Sequence, residues 1–108
     1  PAALRKVSQL LSNTWVVLKG NETLVGRSDG EIFVNSSGNP FLGQGGSGDT
    51  LSGYLAGLLA QTALQKDPGR TIRFAIWQHG ASADILSRTR PNWTVEDLLD
   101  VLGTARPN

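Results

Sequence analysis

The chain has 108 residues, enough for one small domain that hides only about two-thirds of its unfolded surface. Hydrophobic residues make up 39% and charged residues 18%, and ten Lys+Arg against nine Asp+Glu leave a net charge of +1, which fits a folded chain and excludes the broad basic field that nucleic acid requires. The absence of cysteine excludes disulfides, thiolate chemistry and Cys-ligated metals, and the single histidine, His79, leaves little for a histidine metal site or a Ser-His-Asp triad.

Ala2 to Leu11 reads as a short helix with Leu4, Val7, Leu10 and Leu11 on one face, ended by Ser12-Asn13. Thr14 to Lys19 is apolar and β-branched, and reads as a strand buried on both faces that needs neighbours this chain hardly supplies. Gly20-Asn21 signals a turn. Thr23 to Gly26 is a second strand, Ser28-Asp29-Gly30 a hairpin turn, and Glu31 to Asn35 the return strand. A glycine-rich loop follows from Ser36 to Gly48, and a loop of this length in a small domain is usually functional.

Thr50 to Gln65 is the strongest helical segment. Leu51, Tyr54, Leu55, Leu58, Leu59 and Thr62 make one stripe. Gly53, Ala56, Gly57 and Ala60 make a small-residue face, so the helix is expected to pack on both sides. Asp67-Pro68-Gly69 reads as a break and Thr71 to Ser87 as a helix. A last helix starts at an N-cap Thr94, with Asp97 three residues on and Trp93 placed to staple against Leu98, and closes at Gly103. The order α, β, β-hairpin, loop, α, α, α suits one side of an α/β layered fold. There is no internal repeat, no apolar run near the ~20 residues of a membrane span and no signal-peptide pattern, so the sequons at Asn21, Asn35 and Asn92 read as chance. The chain starts at Pro1 and contains no Met, which fits either processing or a piece of something longer.

The chemistry concentrates at Gly43-Gln-Gly-Gly-Ser-Gly-Asp49. Consecutive glycines let backbone N–H groups converge, and the helix behind them adds the positive end of its dipole, which together suit a phosphate. Asp49 would repel that phosphate as a ligand, but suits the task of taking a proton from a hydroxyl that attacks it. The plainer alternative is that Asp49 is a helix-start residue and the glycines ordinary turn residues. Two stock motifs fail. Gly43-x-Gly45-x-x-Gly48 matches the dinucleotide fingerprint, but no strand runs directly into it, and Asp67 follows a helix rather than a strand. A P-loop needs Lys after its last glycine, and Asp49-Thr50 stands there instead. Lys19 to Thr23 caps a buried strand, where ligands gather in α/β proteins, although an exposed Lys at a strand end has the same pattern. His79 and Asp84, five residues apart on a helix, make a poor metal pair and read as structural hydrogen-bonding groups.

Five segments in order resemble the NAD(P)H-hydrate dehydratases of the ribokinase-like superfamily: Val-Val-Leu-Lys-Gly-x-x-Thr (16–23), Val-Asn-x-x-Gly-Asn-Pro-x-Leu (34–42), Gly-Gly-Ser-Gly-Asp-x-Leu-x-Gly (45–53), Leu-Leu-Ala-Gln (58–61) and His-Gly-Ala-x-Ala-Asp (79–84). The resemblance implies a three-layer α/β/α sandwich of which residues 1–108 are the C-terminal part of a single domain. It implies removal of water from hydrated NADH or NADPH with ADP or ATP and Mg²⁺, by phosphorylation of the ring hydroxyl and elimination of phosphate. It implies that Asp49 contacts the substrate hydroxyl and acts as base. Gly46, Ser47 and Gly48 would form the anion hole, and Lys19, Gly20, Asn21, Glu22 and Thr23 would line the nucleotide site. No metal ligand is assigned to the protein. A homo-oligomer, an NAD(P)HX epimerase as fusion or partner, and a cytoplasmic location are all compatible with it. The family's N-terminal half, with part of the substrate pocket, has no counterpart here, and Gln44 and Thr50 replace the more usual Ala or Thr and Val. Two alternatives stand beside this reading: a vitamin-precursor kinase of the same superfamily, and an inactive half-domain that needs a complementary chain.

Overall fold

The computed structural model describes residues 1–19, 22–39, 42, 46–90 and 92–104. They fall into two units, Pro1–Ser36 and Ser37–Asn108.

In the first unit, helix α1 (Ala2–Leu10) covers an antiparallel meander of β1 (Val16–Leu18), β2 (Thr23–Gly26) and β3 (Phe33–Asn35), in the order β1-β2-β3. Val17 stands opposite Val25, and Val25 opposite Phe33. Val25 and Leu4 are almost fully buried, so one face of the meander is closed by α1. Polar groups fix the corners. The buried Ser8 hydroxyl donates to the Thr14 carbonyl at 2.6 Å and accepts the Ser28 N–H at 2.9 Å. The Arg5 guanidinium donates to the carbonyls of Arg27, Ser28 and Gly30 at 3.3, 3.0 and 2.9 Å, and so clamps the β2–β3 connection. The expectation of a strand buried on both faces over Thr14 to Lys19 is corrected. The strand is shorter, its residues are half-buried or exposed, and among the described residues it pairs with β2 alone. Apolar β-branched composition signals burial, but burial needs a neighbour on each side.

The second unit holds α2 (Ser47–Leu59), a 3₁₀ turn (Thr62–Gln65), α3 (Pro68–Thr89) and α4 (Val95–Val101). Helix α3 is the axis against which α2 and α4 pack. It starts earlier than its apolar pattern suggests. Asp67 is the N-cap and accepts the Arg70 N–H at 3.2 Å, while Pro68 occupies the first turn, where its missing N–H costs nothing. The Asp-Pro-Gly break is therefore a start signal. Helix α2 stops at Leu59, and the expected continuation to Gln65 is a separate turn in which Thr62 is exposed.

The expectation that α2 packs on both sides is also corrected. Its leucine stripe turns inward, but Gly53, Ala56, Gly57 and Ala60 are exposed, and a Cβ added at Gly53 or Gly57 would meet nothing within 4 Å. The described chain supplies a partner for one side of this helix only.

Ala83, Leu86, Trp93 and Leu98 form the buried cluster between α3 and α4, so Trp93 and Leu98 do lie together across the start of α4. Thr94 and Asp97 form a reciprocal capping box. Gly103 lies beyond the end of α4 and is not among the left-handed glycines.

The Asp97 carboxyl lies below its ordinary pKa, first because it accepts the Thr94 backbone N–H, with burial opposing and the Arg90 charge assisting. A depressed carboxyl contributes stability above its unfolded pKa and loses it as pH falls through the folded one. Asp97→Asn should therefore lower the melting temperature at neutral pH, and the gap to the wild type should close in acid, below the ordinary aspartate range. Thr94→Ala should cost about 1 kcal/mol in urea denaturation.

Candidate active site

Helix α2 opens three residues before the expected Thr50. Gly46 is its N-cap at φ 93° and ψ −12°, a left-handed conformation natural to glycine. Ser47, Gly48 and Asp49 therefore form its first turn rather than the end of a loop. Across the cap, the Thr50 N–H donates to the Gly46 carbonyl at 3.0 Å. Gly46 provides no side-chain cap, so the first-turn N–H groups face outward at the positive end of a 13-residue helix. Such a terminus suits an anion.

Ser47 is buried, and its hydroxyl donates to the Leu42 carbonyl at 2.5 Å. What it has left to offer an anion is its N–H. Asp49 is exposed and occupies the third position of the helix, as Asp97 does in α4. The two differ in what they do. The Asp97 carboxylate reaches back to the N-cap N–H at 2.9 Å. No hydrogen bond or ion pair to a described residue engages the Asp49 side chain. Capping thus does not account for Asp49, and its carboxylate is left facing outward beside the open helix end.

Lys19, Glu22 and Thr23 belong to the first unit. Lys19 follows β1 and is exposed, Glu22 is exposed, and Thr23 is half-buried at the start of β2, opposite Asn35. Gly20 and Asn21, and Gly43 to Gly45 of the glycine run, lie outside the described residues.

The segment 79–84 of α3 is engaged with this loop. The buried His79 places Nε2 3.1 Å from the Ser47 carbonyl. The Asp84 carboxylate accepts the Gly38 N–H at 3.0 Å and the Asn39 side-chain amide at 2.9 Å. Asn39 also donates to Ser87 at 3.1 Å, and the Ser37 hydroxyl donates to the Trp77 carbonyl at 2.9 Å. Both His79 and Asp84 are thus structural hydrogen-bonding groups, as the sequence suggested. Between them Gly80 lets the backbone of 37–38 lie directly on the helix. A Cβ at Gly80 would stand 2.2 Å from Ser37 Oγ, 2.7 Å from Ser37 C and 2.8 Å from the Gly38 nitrogen. Gly80→Ala must therefore displace backbone, and should lower stability by about 1–3 kcal/mol, read from the urea denaturation midpoint.

A family model for NAD(P)H-hydrate dehydratase matches residues 2–103. The ADP-dependent (S)-NAD(P)H-hydrate dehydratase of Neisseria meningitidis is 43% identical over 88 residues, covering 82% of this chain and 28% of that protein. The bifunctional NAD(P)H-hydrate repair enzyme Nnr of Gloeobacter violaceus is 40% identical over 82 residues, covering 76% and 16%. Among solved structures, the ADP/ATP-dependent NAD(P)H-hydrate dehydratase from Bacillus subtilis, co-crystallised with ATP/Mg²⁺, superposes with a TM-score of 0.81 at 32% identity, over 94% of this chain and 36% of that one. The chain thus has the α/β fold of part of a ribokinase-like dehydratase, and spans less than a third of these curated relatives.

Proposed function

The chain belongs to the NAD(P)H-hydrate dehydratase family, and we propose that it forms the phosphate-handling part of an enzyme that dehydrates hydrated NADH or NADPH at the expense of ADP or ATP. The observation that carries this is the exposed Asp49 carboxylate, unused as a cap, beside the uncapped first turn of α2. The terminal phosphate of the nucleotide would lie against the N–H groups of Ser47 and Gly48 behind Gly46, where the helix dipole favours the charge that develops in transfer. Lys19 to Thr23 would contribute to the nucleotide site.

In the proposed reaction Asp49 takes the proton of the ring hydroxyl as its oxygen attacks the terminal phosphorus. The phosphorus–oxygen bond to the nucleotide breaks, and AMP or ADP leaves. The carbon–oxygen bond of the hydrated ring then breaks with loss of the neighbouring ring proton, so that phosphate departs and the dihydronicotinamide double bond is restored. An exposed carboxylate and phosphate oxygens are hard donors that suit Mg²⁺, which neutralises phosphate charge when bound with the nucleotide.

The relatives named bifunctional support pairing with a second repair activity, an NAD(P)HX epimerase fused to the enzyme or separate from it. Among the described residues no helix is long and apolar enough to cross a membrane, and we place the enzyme in the cytoplasm. The 108-residue chain by itself is proposed to be inactive, because it spans only part of the dehydratase domain.

In the full-length protein with nucleotide and Mg²⁺, turnover of hydrated NADH should be measurable by recovery of NADH absorbance. Asp49→Asn should lower kcat by about 10²–10⁴-fold, the range for a lost general base. Lys19→Ala should raise the nucleotide KM about tenfold, as expected for a lost charged contact. Normal turnover by Asp49→Asn would remove the assignment of Asp49, and preference for a vitamin-precursor alcohol over hydrated NADH would replace the dehydratase with a kinase.

A further inference from the structure

We propose that the 79–84 segment of α3 sets the geometry of the phosphate loop, with His79 as a positioning residue. This rests on the reading of Gly46 to Asp49 as the phosphate site, and goes beyond it by naming the part that holds that site in shape. Three contacts on one helix grip both ends of the loop. Asp84 and Gly80 hold its beginning, through the Gly38 N–H, the Asn39 amide and the close approach of Ser37. His79 holds its end, through the Ser47 carbonyl.

The last contact has a specific consequence. The Ser47 carbonyl and the Gly48 N–H belong to one planar peptide unit and point in opposite directions. A donor fixed on the carbonyl therefore fixes the direction of the Gly48 N–H, one of the groups proposed to meet the phosphate. Because a carbonyl only accepts, Nε2 must carry the hydrogen, so the contact persists whether the ring is neutral or cationic. His79 is buried at 6% exposure in a helix packed by α2, and the segment from 79 to 84 spans about 7.5 Å along its axis. The described ends of the loop are thus tied to one helix, and the cost of fixing those ends is met in folding rather than at each binding event.

The test is made on the full-length protein with His79→Leu, His79→Gln and Asp84→Asn. Glutamine can place its amide nitrogen near the position of Nε2, and leucine cannot donate. Amide exchange of 47–50 should rise about fivefold in His79→Leu, the effect of one lost hydrogen bond, and return toward wild type in His79→Gln, with exchange in the centre of α3 unchanged in both. The nucleotide KM should rise about fivefold in His79→Leu and recover in His79→Gln. If His79→Leu does not fold, Asp84→Asn decides, with faster exchange at 37–39. Equal exchange of 47–50 in wild type, His79→Leu and His79→Gln would overturn the proposal, as would equal effects of the two His79 variants. If the wild-type protein shows no nucleotide-dependent dehydration, the functional reading fails by itself, and the exchange measurements still decide the role of His79.

Discussion

A helix packed on most sides cannot carry polar side chains unless each finds a partner, and this constraint on α3 organises the second unit. Gln78, His79 and Ser82 are all buried on α3. Gln78 accepts the Tyr54 hydroxyl of α2, and Ser82 donates to the Gln78 carbonyl at 2.7 Å and to the Leu102 carbonyl at the end of α4 at 3.2 Å. His79 meets the first residue of α2. Three polar positions thus reach the body and the start of α2 and the end of α4. Apolar packing between α3 and α4 at Ala83, Leu86, Trp93 and Leu98 brings the elements together, but it is non-directional. The hydrogen bonds fix how each element is turned.

The first unit follows the same rule with other residues. Leu4 and Val25 bring α1 onto the meander, and Arg5 and Ser8 then satisfy the carbonyls and the N–H that the β2–β3 connection cannot pair by itself. Nothing local in the sequence marks Arg5. Its role became visible only when the carbonyls of Arg27, Ser28 and Gly30 were brought to it across more than twenty residues of chain.

What the sequence made legible was local. The bounds of β2, the hairpin turn at Gly30 with φ 76°, the capping box of Thr94 and Asp97 and the pairing of Trp93 with Leu98 all rest on residues a few positions apart. Helix ends were read less well, because glycine and proline carry two meanings. Pro68 and Gly48 stop a helix interior, yet both stand comfortably in a first turn, where the N–H has no partner in any case. The partners of His79 and Asp84 lay outside any local pattern. They are 32 and 46 residues away in sequence. The spacing of five, about 140° around a helix, sets the two side chains apart, and each has its own partners. It gave no sign that the two residues hold opposite ends of one loop. In the candidate site, Asp49 and the residues before it stand out in the glycine run, whereas Lys19 to Thr23 carry only the weaker signal of a strand end, which an exposed Lys shares.

The two third-position aspartates show why the N-cap residue matters. At α4 the N-cap is Thr94 in extended backbone, φ −112° and ψ 171°, so its N–H points back toward Asp97 and its hydroxyl reaches forward. At α2 the N-cap is Gly46 at φ 93°. It has no side chain to cap with, and its left-handed backbone does not present the N–H in the way a capping box requires. Among the described residues, the same change that leaves the first-turn N–H groups without an acceptor therefore also leaves Asp49 without a donor. With glycine at its N-cap, the 13-residue helix gives up roughly a few tenths of a kcal/mol that the 7-residue α4 keeps. On the proposed reading, an anion at the open N–H groups and a hydroxyl proton at the carboxylate take the two places that a capping box would have filled.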